Sequence, residues 1–66
     1  MSANNQLVII KKGKFFELHE NLCYDNDFKP DKYSLIKKDK DLYKIIKYAR
    51  NYTINHIVEY GINYDF

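Results

Sequence analysis

Leu7-Val8-Ile9-Ile10 is the longest uninterrupted aliphatic run in the chain. Three of its residues are β-branched, so residues 6–11 read as a strand. Successive strand residues point to opposite faces of a sheet. A strand that is apolar on both faces must therefore be covered on both. The whole chain has only 66 residues in which to do this, and a chain of that length buries only about 60% of its unfolded surface.

The neighbouring segments supply the rest of one small domain spanning 1–66, with residues 1–5, small and polar, expected to fray. Gly13 in Lys11-Lys12-Gly13-Lys14 marks a tight turn, and residues 15–22 read as the return strand of a hairpin. Its alternation places Phe16, Leu18 and Leu22 on one face and Phe15, Glu17 and His19 on the other. Residues 25–31 gather Asp25, Asn26, Asp27, Asp31 and the sole proline, Pro30, and read as a loop. Residues 33–36 suggest a short third strand.

Residues 39–52 carry the clearest period. Leu42, Ile45, Ile46 and Ala49 fall on one helical face. Asp39 is the expected N-cap, Asp41 lies in the first turn, and Arg50 suits the negative C-terminal pole. Residues 56–64 alternate again and read as a final strand. The expected fold class is α+β: a small, mainly antiparallel sheet with one amphipathic helix packed on it. The pairs Phe15-Phe16 and Ile57-Val58 repeat the two-faced apolar pattern. A second copy of the chain is the simplest cover for the sheet face away from the helix; the alternative cover is loop 24–32.

Composition bears on the setting. The hydrophobic fraction of 45% with 17% aromatics argues for a folded chain. Lys, Asn, Ile and Tyr make up nearly half of the residues. All four are encoded largely by A/T-rich codons, which points to a phage or mobile element, or a low-GC bacterium. No apolar run approaches the roughly 20 residues of a membrane span or the roughly 7–15 of a signal peptide. With Cys23 as the one thiol, a reducing cytoplasm is expected.

The chemistry-bearing groups are few. His19 and Cys23 share a strand face about 13 Å apart, too far to chelate one ion, so no metal site is expected. Asp25, Asn26, Asp27 and Asp31 do not fit a calcium loop, since Lys29, Pro30 and Ile36 occupy positions that need an oxygen ligand, Gly and Glu. Gly13 and Gly61 stand alone, so there is no phosphate loop. Ser2, Ser34 and Thr53 sit in no nucleophile motif. The chain is therefore expected to be non-enzymatic and to need no cofactor.

Two surfaces remain. Tyr60, Ile62, Tyr64 and Phe66 form one row on the last strand, and tyrosines bury large area at low entropic cost. They make the leading expectation a protein-binding or regulatory module, self-associating or modulating a host factor. That row would lie on the sheet face away from the helix, or at the edge of the last strand. Charge supplies the alternative. Net charge is −1 over residues 1–28, +5 over 29–50 and −2 over 51–66. Lys40, Lys44, Lys47 and Arg50 would form a basic helix face flanked by Tyr43 and Tyr48, suited to nucleic acid.

Overall fold

The computed structural model describes residues 5–22, 32–56, 58 and 61–66. The elements are β1 (Asn5–Lys12), β2 (Phe15–Leu22), β3 (Leu35–Asp39), α1 (Leu42–Asn55) and β4 (Ile62–Asp65). They form one helix on a four-stranded mixed sheet of order β3-β2-β1-β4, an α+β fold as expected.

The hairpin forms because its turn chemistry is right. Lys12 pairs with Phe15 across Gly13-Lys14. Gly13 takes φ 63° and no non-glycine residue described has positive φ, the pattern of a type II′ turn. At the other end Asn5 is not frayed. It pairs with Leu22, is buried, and its Nδ2 donates to Glu20 Oε2 at 3.1 Å. That amide–carboxylate bond holds the start of β1 in the sheet.

Three boundaries move. The third strand is Leu35–Asp39, not residues 33–36, because Asp39 still pairs with Phe16. Asp39 is thus a strand residue, and Asp41 is the N-cap: its Oδ1 accepts the Tyr43 N–H at 2.9 Å. Asp39 Oδ1 in turn accepts the Asp41 N–H at 2.9 Å, so two acidic side chains, one on each side of Lys40, organise the entry to α1. The helix continues to Asn55, where the His56 N–H closes the last turn on the Tyr52 carbonyl at 2.9 Å. Arg50 therefore sits more than a turn before the helix end. The last strand begins at Ile62, not 56; residues 57, 59 and 60 lie outside the described residues.

β4 runs parallel to β1, Leu7 opposite Ile62 and Ile9 opposite Tyr64. Since β2 is antiparallel to both β1 and β3, β3 and β4 point the same way at opposite edges of the sheet. A chain can join such strands only by crossing a sheet face, and α1 makes that crossing.

The crossing decides which face is the core. Leu7, Ile9 and Leu18 from the sheet and Ile45 and Ala49 from α1 are fully buried together, with Phe16, Ile36, Leu42, Ile46, Tyr52, Val58 and Ile62 packed around them. α1 lies against β2 and β3, so the β4 side of this face extends past it. A bulge between Leu18 and His19 leaves Ile36 as an extra residue in β3. The extra residue lets Ile36 reach the core while Lys37 still leans to the helix side, its Nζ 5.4 Å from the Tyr48 ring centre.

The opposite face is not bare. Val8, Glu17 and His19 project from it yet are 3%, 7% and 2% exposed within the single chain. Covering the middle of this face therefore does not require a second copy, contrary to the inference from the two-faced apolar strand. Residues 23–31, which include most of the loop considered as cover, lie outside the described residues.

Removing the cap tests the entry to the helix. Asp41→Ala leaves the Tyr43 N–H unpartnered and should lower stability by about 1 kcal/mol. Urea denaturation monitored by circular dichroism reads this as a lower midpoint at unchanged slope.

Candidate functional site

Three of the described lysines meet where β3 approaches α1. Lys37 from β3 and Lys44 and Lys47 from α1 converge on a groove with Tyr48, Asn51 and Asp39, enclosing about 380 Å³. A smaller hollow of about 180 Å³ continues along the helix, bounded by Tyr48, Asn51, Tyr52, Asn55 and His56. The two share Tyr48 and Asn51, so they form one track. Lysines stand at one end and a stacked Tyr52–His56 pair, ring centres 4.2 Å apart, at the other.

The electrostatics of this track are one-sided. Among the described residues the one ion pair is His19–Glu17, so no described carboxylate lies within ion-pair distance of Lys37, Lys44 or Lys47. Asp39 is the acidic group of the groove, and its Oδ1 is engaged by the Asp41 N–H. At the far end, burial first, then the Glu20 carboxylate and Tyr48, hold the Tyr52 phenol above its ordinary range. Tyr52 is therefore a neutral aromatic donor at physiological pH.

The basic residues expected to act together are divided. Lys44 and Lys47 line the groove. Lys40 precedes the helix, and its Nζ lies 5.5 Å from the Phe15 ring centre, beside Lys38 at 4.4 Å from the same ring. Arg50 is exposed and, at 100° per residue, sits 120° around the helix from Lys44. It shares a flank with Tyr43, 84% exposed, and not with the groove. Lys37 takes the place that helix periodicity gave to Lys40 and Arg50. Extending the third strand through Asp39 is the sequence signal that would have found it.

The aromatic row is divided too. Ile62 pairs with Leu7 and packs against the core, so the row lies on the helix side of the sheet, not on the face away from it. Tyr60 lies outside the described residues. Tyr64 and Phe66 lie past the helix and are 49% and 61% exposed. The Phe66 ring meets Phe16 edge-on at 5.5 Å and Tyr64 at 6.3 Å.

A polar chain that the sequence did not signal joins β2 to the turn before β3. Ser34 Oγ and His19 Nδ1 lie 2.8 Å apart, and His19 Nε2 and Glu17 Oε1 lie 2.9 Å apart. The order serine–imidazole–carboxylate is that of a nucleophilic relay. Here the imidazole is 2% exposed, with both ring nitrogens engaged inside the protein. That burial suits a brace across the bulged pair of strands better than a base acting on substrate. Among the described residues no three His, Cys, Asp or Glu side chains gather to hold a metal ion. Cys23 and the acidic loop Asp25, Asn26, Asp27 and Asp31 lie outside the described residues. Among the described residues no helix is long and apolar enough to cross a membrane.

No protein-family model, curated protein or solved structure matches the chain.

If His19 is a brace, His19→Ala leaves the Glu17 carboxylate buried without its imidazole partner. Stability should fall by about 3 kcal/mol, read as a lower urea midpoint. Ser34→Ala should cost about 1 kcal/mol by the same measurement.

Proposed function

We propose that this chain is a non-catalytic module that binds single-stranded nucleic acid along the track between β3 and α1. The observation that carries the reading is the convergence of Lys37, Lys44 and Lys47, from two different elements, around the Tyr48 ring. Unpaired ammonium groups beside an aromatic face are the two parts that sequence-tolerant strand binding needs: cations for phosphates and a platform for a base. The second hollow repeats the platform with Tyr52 and His56. The Asn51 side chain between them offers both a donor and an acceptor to a base edge.

Single strands suit this surface better than a duplex. A helix that reads the major groove presents a polar outer face with several residues aimed at base edges. The exposed side of α1 carries Lys44, Lys47 and Asn51, but its one arginine, Arg50, stands on a flank with Tyr43 and Ile54, 84% and 78% exposed, so an apolar flank interrupts the polar face and few side chains suited to base edges are present. A reading as a regulatory protein that modulates a host factor keeps one observation in its favour, the exposed pair Tyr64 and Phe66.

Fluorescence anisotropy with labelled oligonucleotides tests the proposal. Single strands should bind more tightly than duplex, and log affinity should fall with log salt at a slope of about −2, as for three phosphates on a single strand. Lys44→Glu/Lys47→Glu should abolish binding. Tyr48→Ala should weaken it about tenfold through loss of one stacking platform. Absence of binding at low salt, or unchanged binding by the Lys44→Glu/Lys47→Glu variant, would overturn the reading.

A further inference from the structure

The two edges of the sheet are built differently. β3 places Lys37 and Lys38 within five residues, with Lys40 just beyond; edge lysines oppose pairing with another strand. β4, Ile62-Asn63-Tyr64-Asp65, has no Lys, Arg or Pro. Among the described residues no strand pairs with its outer side.

The direction of its backbone groups follows from the parallel ladder. The Leu7 N–H donates to the Gly61 carbonyl at 2.9 Å, and Leu7 is registered on Ile62. Backbone groups alternate sides along a strand. Gly61, Asn63 and Asp65 therefore turn theirs toward β1. Ile62 and Tyr64, continuing to Phe66, present N–H and C=O to the open edge. The same residues carry the apolar side chains, and all three stand on the helix side of the sheet, where α1 does not reach Tyr64 and Phe66.

We propose that β4 pairs antiparallel with β4 of a second copy, about a twofold axis at Tyr64. The chemistry of this register is self-complementary. Tyr64 faces the partner's Tyr64, and Ile62 faces the partner's Phe66, so every apolar side chain of the edge meets another. On the opposite face Asn63 meets the partner's Asp65, an amide donor against a carboxylate. Centring the axis on Asp65 would set two carboxylates against each other, and centring it on Asn63 would set Phe66 against residue 60 of the second copy, before the start of its β4. The chosen register also uses the outward backbone groups as directly bonded pairs. It joins two sheets into one with both β3 edges outermost, a closed isologous dimer. The proposal rests on β4 alone and stands whether or not the groove binds nucleic acid.

Sedimentation equilibrium from micromolar to millimolar concentration is the first test, and a concentration-dependent dimer is expected. Tyr64→Pro removes an N–H that faces outward and none that faces β1, so it should give a folded monomer. Tyr64→Lys sets two ammonium groups against each other and should give the same monomer without touching the backbone, which keeps the test valid if proline melts the strand. Register is read by cross-linking in a Cys23→Ser background. Directly bonded antiparallel partners have Cα atoms about 5.5 Å apart, within disulfide range. Tyr64→Cys should therefore oxidise to a covalent dimer faster than Asn63→Cys. A wild-type monomer throughout, a dimer that survives Tyr64→Lys, or faster cross-linking by Asn63→Cys would each overturn the proposal.

Discussion

Burial of β1 on both of its faces is the constraint on which the rest of the structure depends. Leu7 and Ile9 form the floor under α1, while Val8 is buried on the other side. A strand with that demand has to sit between two others, and β2 and β4 occupy those places. Because β3 and β4 then run in the same direction at opposite edges, the connection between them must travel over the core face. The helix is thus as much a topological requirement as a product of its own periodicity. Its position over β2 and β3 produces both the basic groove and the aromatic edge. It forms the groove with β3 and leaves Tyr64 and Phe66 uncovered.

A buried polar chain complements this apolar core. Glu17, His19 and Ser34 lie on the face away from the helix, where a purely apolar layer would not distinguish one strand register from another. Hydrogen bonds of 2.8 and 2.9 Å through a single imidazole fit only one offset of β2 against the segment leading into β3. That offset includes the bulge at Ile36, and the bulge is what brings Lys37 to Tyr48. Specificity bought with polar groups on one face therefore sets the position of a cation on the other.

The fold class, the hairpin and the helix were legible in the sequence because each follows from local rules: turn glycine, alternation, and a period of 3.6. The face assignment of Phe16 and Leu18 followed from alternation alone. What escaped was non-local. Asp39 looked like a cap because the sequence cannot show that Phe16 pairs with it across the sheet. Alternation through 56–64 looked like one long strand, although the helix extends to Asn55 and β4 begins only at Ile62. The basic face was half legible. Helix periodicity found Lys44 and Lys47, but grouped them with Lys40 and Arg50, which lie elsewhere. It missed Lys37, which arrives from another element by way of a bulge. The brace of Glu17, His19 and Ser34 escaped for the same reason, since Ser34 approaches His19 only through tertiary pairing.

The parallel pairing of β1 with β4 also bears on how the chain reaches this state. Leu7 and Ile62 are registered neighbours although nearly the whole sequence separates them, so their contact closes a very long loop. Local contacts in the hairpin and in α1 can form far sooner. During that interval Leu7, Val8 and Ile9 present an unsatisfied, strongly β-forming edge. The segment that must complete it is short and could come equally from another molecule. Kinetic competition between intramolecular closure and exchange of β4 between chains would thus make folding yield sensitive to protein concentration.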